Sequence, residues 1–63
     1  MTALYEICLH KADGTPILNM MVDAADREGA KAQAAKMLMG AVAYAVVWRS
    51  QVEVAIVHRG NPS

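Results

Sequence analysis

The chain has 63 residues, 56% of them apolar and twelve of them alanine, and six Lys and Arg balance six Asp and Glu at zero net charge. So short a chain is one domain that buries only ~60% of its unfolded surface, and this composition excludes a disordered tail, a low-complexity chain and a collagen-like one. The single cysteine excludes an intrachain disulfide, two histidines and a cysteine are a poor set for a structural zinc, and the missing basic excess disfavours a dedicated nucleic-acid binder.

Leu4 to Lys11 alternates, with Tyr5, Ile7 and Leu9 on one face and Glu6, Cys8 and His10 on the other. That is the pattern of a half-buried strand. Asp13-Gly14 follows, a favoured hairpin pair because both residues tolerate positive φ. Pro16 cannot donate to a ladder, so the second strand, Ile17 to Val22, belongs at an edge, with Leu18, Met20 and Val22 inward. Asp26 is the preferred N-cap of a helix over Arg27 to Met39, and Asp23 would start it a turn earlier. Ala30, Ala34, Met37, Leu38 and Ala41 share one stripe of that helix, and Gly40 is placed to end it.

After Gly40 the period changes to two. Val42, Tyr44, Val46 and Trp48 occupy one face of a third strand; Ala43, Ala45, Val47 and Arg49 occupy the other. The fourth strand, Val52 to Arg59, alternates Val52, Val54 and Ile56 with Glu53, Ala55 and Val57. Pairing Trp48 with Val52 across a three-residue loop sorts the large residues onto one face and the small ones onto the other. The expectation is an α+β fold, ββαββ, with a four-stranded, largely antiparallel sheet and one helix on the face of Tyr5, Val42, Tyr44, Trp48 and Val54. Residues 1–60 form the single domain and 61–63 a frayed tail. Whether the first and fourth strands are neighbours stays open.

One helix covers one sheet face, and the last two strands are apolar on both. An antiparallel sheet with a wet face normally alternates polar residues there. The second face of Ala43, Ala45, Val47, Ala55 and Val57, rimmed by Arg49, Glu53 and Arg59, together with Met39 on the helix nearly opposite its core stripe, is therefore the candidate interface. Its occupant is expected to be a protein partner, first of all a second copy in a homodimer, through this face or through a strand edge.

The chemistry-bearing residues point away from an enzyme. Cys8, His10 and His58 would approach each other only if the outer strands meet, and nothing orients a histidine to activate the thiol. They lack a recognised metal spacing. Capping accounts for Asp23 and Asp26, and the four glycines are dispersed, so no phosphate-cradling loop exists. No catalytic, cofactor-binding or metal residue is assigned, and no cofactor. The alternative of a small nucleic-acid-binding module requires Lys11, Arg49, Arg59 and a helix lysine to converge, and direct nucleic-acid binding is disfavoured. The longest apolar run, Ala41 to Trp48, is eight residues, far short of a membrane span, and the start of the chain lacks a basic n-region. An unpaired cysteine suits a reducing compartment, so a cytoplasmic location is expected.

Tyr5-Glu6-Ile7-Cys8-Leu9, the turn at Asp13-Gly14, the alanine-rich Ala30 to Met39 and the valine-rich hairpin around Arg49-Ser50-Gln51 together resemble some small phage-encoded anti-CRISPR proteins in element order, size and composition. The resemblance implies a non-enzymatic inhibitor that occupies a surface of a CRISPR effector complex, a nucleoprotein assembly. Without an acidic excess, it would block by shape and a few charges rather than by DNA mimicry.

Overall fold

The structure, a computed structural model, describes residues 1–59; the tail expected over 61–63 lies outside the described residues. The elements are β1 (Ala3–His10), β2 (Pro16–Ala24), α1 (Arg27–Ala35), β3 (Tyr44–Arg49) and β4 (Val52–His58). The strands form one antiparallel sheet in the order β2-β1-β3-β4, so the fold is α+β of ββαββ type. β1 is antiparallel to both β2 and β3, which therefore run the same way on either side of it. Two such strands need a crossover connection, and α1 supplies it over one face of the sheet. β3 separates β1 from β4.

Local chemistry explains the first turn and the helix start. Gly14 donates its N–H to Lys11 O at 2.9 Å and adopts φ +91°, a conformation that side chains rarely tolerate. Pro16 opens β2 on the outer edge, as its missing donor requires. Leu9 faces Leu18 but His10 faces Pro16, so Ile17 is an extra, bulged residue. Asp26 is the N-cap, accepting from Gly29 N at 2.8 Å, and Asp23 instead lies within β2, opposite Leu4.

The helix stops at Ala35 with Lys36 as C-cap, short of the expected Met39. Helices of nine residues are held by packing more than by propensity, and the docked residues are Ala30 and Ala34. Beyond them the chain tightens into i→i+3 bonds, Met37 N to Ala34 O at 3.0 Å and Leu38 N to Ala35 O at 3.3 Å. Met37 and Leu38 still pack on the core, whereas Ala41 is exposed and does not join the stripe.

The register of β3 against β1 reverses the expected face of β3. Ile7 faces Val47 and Leu9 faces Ala45, so Ala45 and Val47 lie with Tyr5, Ile7 and Leu9 beneath the helix. Tyr44, Val46 and Trp48 lie on the opposite face with Glu6, Cys8 and His10. Tyr5, Val42 and Val54 do pack in the core, as expected. The physical reason is volume: Tyr5, Ile7 and Leu9, with Met20 and Val22 beside them, already fill the space under α1. Only small residues fit next to them on β3 and β4.

The last hairpin also differs from expectation. Its turn has two residues, Ser50 and Gln51, at φ +51° and +67°, and Arg49 faces Val52. Positive φ at both positions is the primed turn whose twist matches the flanking strands. Trp48 faces Glu53 rather than Val52, and Val47 faces Ala55, which leaves Val54 as a bulge. Val54 and Ala55 consequently both pack on the core. The extra residue also turns Glu53 onto the open face; strict alternation from Val57 would have put it under the helix.

Candidate functional site: the open sheet face

The face away from α1 is built from three rows of side chains that the ladder sets across the strands. The first row is Met21, Glu6, Trp48 and Glu53. The middle row is Asn19, Cys8, Val46 and Ile56, and the last is Pro16, His10, Tyr44 and His58. Leu4 and Asp23 extend the acidic end. Met21 is 58% exposed, Leu4 57% and Ile56 36%, while Val46 between them is 8% exposed. The face is thus a part-apolar surface with its centre already sheltered, and it carries carboxylates at one end and imidazoles at the other.

The side chains on it are held in place. Glu6 is half-buried, and its Oε2 accepts from Asn19 Nδ2 at 3.0 Å and from Cys8 Sγ at 3.7 Å. His10 and Tyr44 stack with ring centroids 4.9 Å apart and planes within 7°, and His58 tilts against Tyr44 at 5.7 Å. Gly14 supports this end: its carbonyl lies 3.2 Å from His10 Nδ1, and a side chain there would meet Tyr44 Oη at 3.6 Å.

Nothing in this arrangement activates a nucleophile. Burial first, then the charge of Glu6 and its hydrogen bond, push the Cys8 thiol up from its ordinary value, so it is held as a thiol. His10 and His58 stand on opposite sides of Tyr44 because β3 keeps their strands apart. Among the described residues, no three His, Cys, Asp or Glu are grouped to hold a metal ion. None of their helices is long and apolar enough to cross a membrane.

The residues singled out from sequence are distributed differently from expectation. Ala45, Val47 and Val57 are at 0% exposure under the helix and Ala55 packs beside them, so these four are core and not surface. Ala43 is half-buried where the ladder begins, donating to His10 O at 2.8 Å. Met39 is exposed past the helix end. Arg49 lies on the helix side, its guanidinium carbon 5.7 Å from the centre of the Tyr5 ring. Arg59 donates from Nη1 to Gly40 O at 2.7 Å. Glu53 alone stands on the open face.

The basic residues do not converge either. Lys11 follows the His10 end of β1, whereas Arg49 ends β3 near Glu6 and Tyr5, at the other end of the sheet. Lys31 pairs with Glu28 at 3.6 Å on the helix. No Lys or Arg occupies any of the three rows. One sequence signal did mark the open face: the alternation of β1 already set Glu6, Cys8 and His10 apart from Tyr5, Ile7 and Leu9. No protein-family model, curated protein or solved structure matches the chain.

Proposed function

We propose that the protein is a non-enzymatic protein-interaction module that works through its open sheet face. The observation that carries this is the composition of that face. Exposed Leu4, Met21 and Ile56 surround Trp48 and Val46, with polar groups towards the ends. An apolar, aromatic centre within a polar rim is the anatomy of a protein interface. The thiol state of Cys8 and the separation of the two histidines support a binding role over a catalytic one. Glu6, Asp23 and Glu53 on the face, with no Lys or Arg among its rows, argue against a phosphate backbone as ligand.

The partner class to test first is the one the family resemblance implies, a CRISPR effector complex, with the protein as its inhibitor in the bacterial cytoplasm. Expression in a strain with active CRISPR immunity should restore plaque formation by a targeted phage, and Met21→Asp should abolish the effect. Unchanged immunity across the effector types tested removes that partner. The module itself is tested by immobilising the chain and comparing what wild type and Met21→Asp retain from lysate. Identical profiles sink the open-face reading.

A further inference from the structure

We infer that the occupant of the open face is a second copy of this chain, related by a two-fold axis that lies in the interface and runs across the strands through the middle row. The inference rests on the open face being a protein interface, and it adds which protein covers it and in what orientation. The charge layout selects the axis. Rotation about an axis across the strands reverses the chain direction and keeps each strand over its own copy. The carboxylate row of one protomer then lies over the imidazole row of the other: Glu6 over His10, Trp48 over Tyr44 and Glu53 over His58, each twice. Every such pair is complementary, two of them a carboxylate against an imidazole donor and one an aromatic pair.

Residues of the middle row face themselves, which suits Val46 and Ile56 as an apolar centre. The other simple two-fold, along the strands, places both carboxylate rows together at one end, an arrangement that like charges oppose. Facing sheets commonly rotate by ~30° relative to each other. Two residues from the axis, a distance of ~7 Å, that rotation moves a side chain by only about 3.5 Å, less than the ~4.8 Å between strands. The rows therefore still meet. Cys8 faces its own copy across sheets ~10 Å apart, too far for a disulfide without backbone movement.

The size of the face sets the strength expected. Four strands of about seven residues present roughly 19 by 23 Å, so two faces bury on the order of 900 Å². That is below the ~1,200 Å² at which standard interfaces begin. A weak, reversible dimer is the consequence, rather than an obligate one.

Sedimentation equilibrium up to 1 mM is the test, with far-UV circular dichroism to confirm that each variant is folded. Wild type should approach twice the monomer mass. His58→Glu puts glutamate opposite Glu53 and should weaken association at least tenfold. Adding Glu53→His to it exchanges the two ends of the pair and should restore the constant to within about threefold of wild type. That rescue belongs to the axis across the strands, and a folded double variant that stays as weak as the single one overturns the inference. Wild type that remains monomeric at 1 mM overturns it too. In that case, loss of lysate capture by Met21→Asp leaves the open-face reading standing with a different partner, and unchanged capture removes both.

Discussion

The two faces of the sheet are made by different rules. Under the helix, β3 and β4 contribute only Ala45, Val47, Val54, Ala55 and Val57, against Ala30 and Ala34 of α1. The open face holds Trp48 and Tyr44 with glutamates and histidines. A core is judged by fit, so its residues are as small as the gap between helix and sheet allows. A binding surface gains from large, amphipathic rings and polar ends. On β3 and β4, then, large side chains mark the outward face and small ones the core, because β1 has already filled the space under the helix with Tyr5, Ile7 and Leu9.

Substituting one residue on each face breaks the comparison most sharply. Val47→Asp buries an unpaired carboxylate at a position of 0% exposure, a cost of about 4 kcal/mol. A chain of this length has a total stability of only ~3–9 kcal/mol, so this variant should lose about half of its urea-derived stability or more. Met21→Asp, at 58% exposure on the other face, should change the urea-derived stability by less than ~1 kcal/mol. Similar losses in both, measured on dilute samples, would mean that the open face is as integral to the fold as the covered one.

Two smaller changes sharpen the contrast. Asp26→Ala removes the acceptor of the 2.8 Å bond from Gly29 N and should cost about 1 kcal/mol, or roughly 5 °C in melting temperature. The damage should stay on the covered face, leaving the NMR shifts of Trp48 and Tyr44 unchanged. Ser50→Asn with Gln51→Gly should raise stability by ~0.5–1 kcal/mol, because both positions hold positive φ with residues that disfavour it. That variant touches neither face and gives a sturdier background for surface substitutions. A fall in its urea midpoint would contradict the turn geometry.

What was legible in the sequence was local. Alternation in β1, the Asp13-Gly14 turn, Pro16 at an edge and the Asp26 cap each depend on neighbouring residues, and each is found. The facing of β3 depends on its register with β1, more than thirty residues away, and alternation says only that two faces differ. The bulge at Val54 was invisible because no residue type announces it, and the Ser50-Gln51 turn because it lacks the expected Asn or Gly. The candidate interface inherited that error: it collected the core of the last hairpin, and kept only Glu53 from the open face.

The smallest effect concerns the turn that props up the imidazole end of that face. Asp13 Oδ1 accepts from Thr15 N at 2.9 Å, and that backbone hydrogen bond, aided by the Thr15 side chain, holds the Asp13 carboxyl below the usual carboxylate range. A carboxylate whose folded value is depressed contributes stability above its unfolded value of ~3.9, and loses it as pH falls through the folded one. Asn at this position keeps an acceptor for Thr15 N but removes the titration. Melting temperatures from pH 6 to pH 2 should therefore fall more steeply in wild type than in Asp13→Asn once the pH passes below about 4. Because the Gly14 carbonyl lies 3.2 Å from His10 Nδ1 and the His10 ring stacks on Tyr44, the Tyr44 ring shifts of wild type should move over the same interval. Parallel melting curves in the two proteins, with still Tyr44 signals, would show that the turn and the aromatic row are independent of each other.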